Sequence, residues 1–157
     1  MGVKLSQISD GSIEVISRID DSLDFNEESY GEYLRTLDES KLTFIEGKSP
    51  TRFIMRRVLP YKLAQKVQNK QMRLEKGEAQ FSLSFMAEEV RCSLTGVKNP
   101  DSIPEEEKIK FEKSRDDDGA SDDFIAKLIA CGIASDLYVA RQSFMSGNKG
   151  SADLKKS

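Results

Sequence analysis

Apolar residues recur with a helical period along most of the second half of the chain. In residues 83–97 and 122–145 they fall at steps of three and four, which predicts two amphipathic helices. The stripe of the second helix consists of Ala126, Ala130, Ile133, Leu137, Ala140 and Phe144. Further apolar side chains make the first half of this helix hydrophobic on nearly all sides. We therefore expect it to lie at the centre of the core or between two copies of the chain.

The first half of the chain is patterned for strands and turns. Two β-prone runs, residues 3–8 and 13–19, flank Asp10-Gly11, a pair typical of a tight hairpin turn. A second hairpin is predicted from residues 41–45 and 51–58, which flank a turn containing Gly and Pro. The pattern thus favours two antiparallel hairpins near the N-terminus.

Two more helices are predicted between these segments. Tyr30, Tyr33, Leu34 and Leu37 lie at helical spacing and indicate a short helix after an acidic lead-in. Pro60 favours a helix start, since a proline in the first turn loses no intrahelical hydrogen bond. The spacing of Lys62, Lys66, Lys70 and Arg73 gives this next helix a basic side.

These elements together predict an α+β fold in a single domain. One or two antiparallel β-hairpins would pack on three to four helices, with the long apolar C-terminal helix central. The domain is expected to span residues 1–145, with an acidic N-terminal segment at 1–47 and a mobile charged loop at 98–120. Residues 146–157 are expected to form a disordered tail.

Composition narrows the possible chemistry. The chain of 157 residues contains no His and no Trp, which removes His-based triads and His-ligated zinc sites. Its two cysteines, Cys92 and Cys131, lie in apolar helical patterns without CxxC spacing and are interpreted as buried thiols, compatible with a reducing cytoplasm. No phosphate-cradling glycine motif occurs. We therefore expect a protein that is not an enzyme and holds no cofactor and no metal.

The acidic run Asp116-Asp117-Asp118-Gly119 invites comparison with a calcium-binding loop. A loop of the EF-hand type that begins at Asp116 needs a ligand at its fifth position and Gly at its sixth. Ala120 and Ser121 occupy those positions, so the pattern fails. A solvated loop that leads into a helix is the favoured interpretation, and a looser divalent-cation site is the alternative.

Charge is divided into three blocks. Residues 1–47 carry a net charge of −7, residues 48–76 one of +8 and residues 77–157 one of −4, which add to the overall −3. No apolar run is long enough for a bilayer span and no secretory signal opens the chain, so we expect a cytoplasmic protein with no membrane partner. The alternation of acidic and basic blocks points to a partner recognised through charge.

The basic block is the candidate binding surface. Aromatic residues stand among its cations, and the proposed contact groups are Phe53, Arg56, Arg57, Lys62, Lys66, Lys70 and Arg73. A nucleic acid is one alternative ligand, but the overall acidity of the chain disfavours it. The same face could also be solvated, or paired with the chain's own acids or with another subunit.

The order of elements after residue 50 resembles that of small tail assembly proteins (tail assembly chaperones) of tailed bacteriophages. The run Pro50-Thr51-Arg52-Phe53-Ile54-Met55-Arg56-Arg57 resembles the Pro-Thr-basic-Phe strand of those proteins. A charged helix, a helix ending in a Gly-aliphatic step, an acidic loop and an apolar helix follow in both. The resemblance covers residues 50–145 and its motifs are short. The acidic segment 1–47 and the Asn-Ser step that often closes those proteins have no counterpart.

This resemblance implies a non-enzymatic cytoplasmic partner of tail tube or tape-measure proteins. The expected function is accordingly non-catalytic protein–protein interaction in bacteriophage tail assembly or virion structure, in the host cell cytoplasm. Two alternatives stay open: nucleic-acid binding through residues 48–76, and inhibition of a host enzyme or defence factor through the acidic surfaces 1–47 or 98–123. A homo-oligomer through the helix at 122–145 is also compatible with the pattern.

Overall fold

The computed structural model describes residues 11–75 and 81–148 and shows an α+β fold. Its strands are β1 (Ser12–Val15), β2 (Arg52–Arg56) and β3 (Leu94–Lys98). Its helices are α1 (Glu27–Thr36), α2 (Tyr61–Glu75), α3 (Phe81–Ser93), α4 (Asp122–Ala130) and α5 (Ile133–Gln142). Short 3-10 turns lie at Glu39–Lys41 and Glu105–Glu107, and a π-helical turn, Ser143–Asn148, follows α5.

The three strands form one antiparallel sheet in the order β1-β2-β3. Val15 lies opposite Phe53, and Phe53 lies opposite Val97 on the other side. β2 is the central strand, because β1 and β3 are hydrogen-bonded to its two edges. Its alternating residues Phe53 and Met55 are buried on one face and contribute to the core. No tight hairpin joins the described strands, since α1 lies between β1 and β2, and α2 with α3 lies between β2 and β3.

The predicted second hairpin is therefore wrong. Residues 41–45 do not pair with residues 51–58, because β1 and β3 occupy both edges of β2. Phe44 instead forms an isolated antiparallel bridge with Leu23. The first hairpin is only half visible: its second run contributes β1, whereas residues 3–8 lie outside the described residues.

The two predicted C-terminal helices also differ from expectation. The helix predicted over 83–97 ends at Ser93, and the next five residues form β3 because the open edge of β2 offers them a hydrogen-bonding partner. The helix predicted over 122–145 is two helices, separated at Gly132, whose φ of +83° breaks the helix. Ala126 and Ala130 are consequently exposed, and Phe124 and Leu128 face the core in their place.

The main core lies between the sheet and helices α1, α3, α4 and α5. Its largest fully buried members include Tyr30 and Tyr33 of α1, Phe53 of β2 and Leu137 of α5. The helix predicted around Tyr30 is confirmed as α1, which begins at the cap Asn26. The helix predicted after Pro60 is confirmed as α2.

Candidate functional site

Helix α2, which carries most of the predicted contact residues, stands apart from the main core. Its inner residues Leu63 and Val67 are buried in a separate small cluster with Cys92 of α3. This cluster attaches α2 to α3 and leaves the opposite side of α2 to solvent. We call that side, with residues 57 and 58 before it, the α2 face.

The start of the α2 face combines exposed apolar, aromatic and basic groups. Tyr61 is 77% exposed and Val58 is 48% exposed, although residues of these types are usually more buried. Lys62 is exposed beside them and makes no ion pair among the described residues. The hydroxyl of Tyr61 lies 3.4 Å from the Gln65 amide nitrogen. Apart from the contact between Tyr61 and Gln65, these groups make no polar side-chain contact with the described residues, so they are suited to a partner.

A shallow groove of about 440 Å³ runs between α2 and α3. Lys66, Asn69, Lys70 and Glu88 line it. Both carboxylate oxygens of Glu88 accept hydrogen bonds from Arg91, at 3.0 Å each. Among the described residues, the Lys70 ammonium makes a single long contact, with the Ser84 hydroxyl at 3.4 Å. The groove therefore keeps cationic capacity that an external carboxylate could use.

The acidic loop at 116–119 occupies the rest of the basic surface. The Lys66 ammonium pairs with the Asp117 carboxylate. The Arg56 guanidinium donates to the backbone carbonyls of Cys92 at 2.8 Å and of Asp118 at 3.1 Å. Two of the predicted contact residues, Arg56 and Lys66, are thus bound to the chain itself.

Asp117 is the centre of this internal network. Its two oxygens accept from the Arg91 guanidinium at 3.0 and 2.9 Å, and Oδ1 also accepts from the Gly119 N–H at 2.9 Å. Hydrogen bonds from Arg91, then from Lys66 and Gly119, hold the pKa of the Asp117 carboxyl well below its usual range, against the opposing effect of burial. The same pairing raises the pKa of Lys66. The network holds the acidic loop at 116–119 against Lys66 of α2 and Arg91 of α3.

The remaining predicted contact residues have different environments. Phe53 is 1% exposed and belongs to the main core, so its ring is not available to a partner. The Arg57 guanidinium lies 5.6 Å from the centre of the Phe144 ring, where a cation–π contact forms. Arg73 belongs to α2, but its side chain lies outside the described ones. The structure places Lys66 and Lys70 on one groove, with the exposed Lys62 on the same helix. Arg57 instead contacts Phe144, and Phe53 is buried in the core.

The two cysteines differ in exposure, and the buried position expected for both thiols is found only at Cys92. Cys92 is fully buried, and desolvation, helped by the negative charge of Glu88, raises the pKa of its thiol to about 12. Cys131 is exposed at the end of α4, with its sulfur 3.6 Å from the Leu128 carbonyl. Among residues 11–75 and 81–148 there is no cluster of three or more acidic or cysteine side chains suited to a metal ion.

Arg91 is a further residue of this network that the sequence pattern did not predict. This residue is buried, yet it bridges Glu88, Asp117 and the Ala120 carbonyl. A signal was present, since Arg91 stands between Val90 and Cys92 within the apolar pattern of a helix, where an arginine requires a partner. The partner is Asp117 in the acidic loop 116–118. Because 26 residues separate Asp117 from Arg91, the local sequence pattern does not reveal the pair.

Comparison with protein-family models, with curated proteins and with solved structures gives no match to this chain. In the part of the chain that the structure describes, no helix has the length and apolar character needed to cross a membrane.

Proposed function

We propose that this chain is a non-catalytic interaction protein that docks on an acidic protein surface through the α2 face. The observation that carries the proposal is that an exposed aromatic residue, Tyr61, and an exposed cation, Lys62, are adjacent on α2. They lie on the same helix as Lys66 and Lys70, which line the groove. Aromatic and cationic groups that serve no internal packing are typical of a binding surface. Opposite charges on the partner would raise the encounter rate and fix orientation.

The internal carboxylates favour a protein over a nucleic acid as the partner. The Asp117 carboxylate pairs with Lys66, and Arg56 contacts the backbone carbonyl of Asp118, so a polyphosphate chain that followed the basic residues would meet the negative charge of this loop. A protein surface with a few carboxylates can avoid those positions. Tyr61 can then pack against an apolar group of the partner.

Two anisotropy titrations test this assignment. One uses a fluorescein-labelled peptide of alternating Glu and Leu, and the other uses labelled single- and double-stranded DNA, each from about 50 to 200 mM salt. We expect the peptide to bind more tightly than either DNA. The variant Lys62→Glu/Lys70→Glu should lose about five- to tenfold in affinity for the peptide, as expected for two charge contacts at the protein surface. The matched control Arg35→Glu/Lys41→Glu reverses two exposed cations on other elements and should bind normally.

Two results would overturn the proposal. Tighter, steeply salt-dependent binding of DNA would assign the α2 face to nucleic acids instead. Equal peptide affinities for the Lys62→Glu/Lys70→Glu variant and its control would show that this face does not contact the acidic partner.

The resemblance to tail assembly proteins suggests the biological setting. In that setting the partner is a tail tube or tape-measure protein, and the chain acts in the host cell cytoplasm during virion assembly. Co-expression with such proteins encoded in the same genome tests this finer proposal. A complex that Lys62→Glu/Lys70→Glu weakens supports it, and a genome without tail genes contradicts it.

A further inference from the structure

A second groove, of about 450 Å³, lies away from the α2 face, between the segments 19–22, 47–51 and 102–109. Its floor is apolar and includes Phe53 of β2 and Ile133 of α5. Ile19, Ile103 and Ile109 extend the apolar lining, and Ile19 is 53% exposed. We call this feature the Ile19 groove. It shares no residue with the α2 face.

The walls of the Ile19 groove are held by specific hydrogen bonds. On one side, the Asp20 carboxylate accepts from the Ser22 and Thr51 N–H groups, at 2.9 Å each, which joins two of the wall segments. On the other side, the Asn99 side chain makes two bonds to the backbone of Ile109, at 2.8 and 3.0 Å. Because these hydrogen bonds hold the groove in shape before binding, less conformational entropy is lost when a partner binds.

The rim of the Ile19 groove is acidic. Of the charged residues that the structure describes there, Asp20, Asp21 and Glu107 line it against one cation, Lys48. Asp20 is engaged in the wall, whereas Asp21 and Glu107 are exposed and make no ion pair within residues 11–75 and 81–148. Two carboxylates are thus available on the rim of an apolar floor.

The neighbouring surface does not share this imbalance. An adjoining groove of about 500 Å³ shares Ile109 and Ile133 with the first, but its lining carries three glutamates and three lysines, so its charge is balanced. Lys127 lies 3.3 Å from Glu112, and Lys108 lies 3.5 Å from Glu105. The excess negative charge therefore marks the Ile19 groove and not the whole side of the molecule.

We propose that the Ile19 groove binds a short linear segment of a partner protein, in which one aliphatic or aromatic side chain is flanked by Lys or Arg. The apolar side chain would cover Ile19 and pack against Ile103 and Ile109, while the flanking cations pair with Asp21 and Glu107. The acidic rim would repel phosphates, and the apolar floor offers a metal ion no ligands. The charge preference is opposite to that of the α2 face, so the two surfaces would take different partners.

Fluorescence anisotropy tests the proposal on the full chain. The probe is a labelled peptide with a central Leu between two Lys on each side, and the comparison peptide has Ser in place of Leu. We expect the Leu peptide to bind at least about fivefold more tightly than the Ser peptide, since burial of a leucine side chain is favourable. Asp21→Asn/Glu107→Gln should weaken the Leu peptide about five- to tenfold. Asp116→Asn/Asp123→Asn, the matched control, removes two exposed charges elsewhere and should have no effect.

A further substitution separates the apolar contact from the charge contact. Ile19→Ser changes a half-exposed side chain, so the fold should tolerate it, and the preference for Leu over Ser in the probe should disappear. The Lys62→Glu/Lys70→Glu variant should bind the Leu peptide as the native chain does, which keeps this proposal independent of the α2 face.

Three outcomes contradict the proposal. They are equal binding of the Leu and Ser peptides by the native chain, equal effects of the groove variant and its control, and full competition by spermidine at the same charge concentration. Each would show that the Ile19 groove does not bind the peptide specifically through its apolar lining and its two rim carboxylates.

Discussion

Arg18 and Asp136 join the beginning and the end of the fold across 118 residues of sequence. One carboxylate oxygen of Asp136 accepts from the Arg18 guanidinium at 2.9 Å, and the other accepts from the Arg18 backbone N–H at 3.1 Å. The hydroxyl of Ser17 donates to Asp136 as well, also at 3.1 Å. Asp136 is 1% exposed and lies in the first turn of α5, where a negative charge is favoured by the helix dipole. The pair therefore fixes the segment after β1 against the last helix.

We expect removal of the Asp136 carboxylate to destabilise the fold strongly. Asp136→Ala leaves the buried Ser17 hydroxyl and the Arg18 N–H without an acceptor, which should cost about 2–4 kcal/mol in the free energy of unfolding. Half of the Arg18 side chain is exposed and can regain water, which keeps the cost below that of a fully buried pair. Urea denaturation followed by circular dichroism measures the change. Ser135→Ala, an exposed neighbour on α5, should change the free energy by no more than about 0.5 kcal/mol, and equal stability of the two variants would show that the pair contributes nothing.

The fold class and several elements could be predicted from the sequence because they follow from local patterns. The apolar spacing around Tyr30 and the proline before Tyr61 each specify a helix, and α1 and α2 form there. The strand partners could not be predicted in this way. β2 pairs with β1 across about forty residues and with β3 across a similar distance, and neither pairing leaves a turn signal.

Glycine and tertiary pairing account for the errors in the second half of the chain. The apolar stripe continues through Gly132 without interruption, so the break between α4 and α5 is invisible to a periodicity argument. Leu94 and Val97 fit a helical stripe equally well, but the edge of β2 makes them a strand.

The candidate site was only partly accessible to sequence reasoning. The spacing of Lys62, Lys66 and Lys70 places them on one side of a helix, as the structure has them. The pairing of Lys66 with Asp117 depends on a contact over 51 residues. The burial of Phe53 depends on β2 being a central strand. Neither the ion pair nor the burial of Phe53 can be predicted from the local sequence pattern.

Substitution of Gly31 and Gly132 by alanine should change stability in opposite directions. Gly31 lies inside α1 with nothing within 4 Å of an added Cβ, so Gly31→Ala should stabilise by about 0.5–1 kcal/mol through helix propensity. Gly132 also has open space, but its φ of +83° is strained for any side chain. Gly132→Ala should therefore destabilise by about 1–2 kcal/mol. Thermal denaturation of both variants checks the two signs, and a stabilising Gly132→Ala would mean that α4 and α5 form one continuous helix.

The two thiols should differ sharply in reactivity. We expect DTNB at pH 8 to label Cys131 rapidly in the folded protein, because this residue is exposed. Cys92 should react only on unfolding, since it is fully buried and burial raises the pKa of its thiol to about 12. Cys131→Ser should abolish the fast phase and Cys92→Ala should leave it intact. A fast phase of two thiols in the native chain would contradict the buried position of Cys92.

Acid should weaken the fold partly through Asp117. The pKa of this carboxyl is lowered in the folded state, chiefly by hydrogen bonds from Arg91, whereas in the unfolded chain it is near the usual value of about 3.9. A lowered pKa stabilises the fold at pH values above the unfolded pKa, and this stabilisation is lost as pH falls toward the folded pKa. The difference in unfolding free energy between the native chain and Asp117→Asn should therefore be constant above about pH 5 and shrink below about pH 4. Urea titrations at a series of pH values measure this difference.

Asp116→Asn is the control, because the Asp116 side chain is exposed and makes no hydrogen bond or ion pair among the described residues. If the Asp117 difference were as flat with pH as the control, the carboxylate would not be charged in its contact with Arg91 and Lys66.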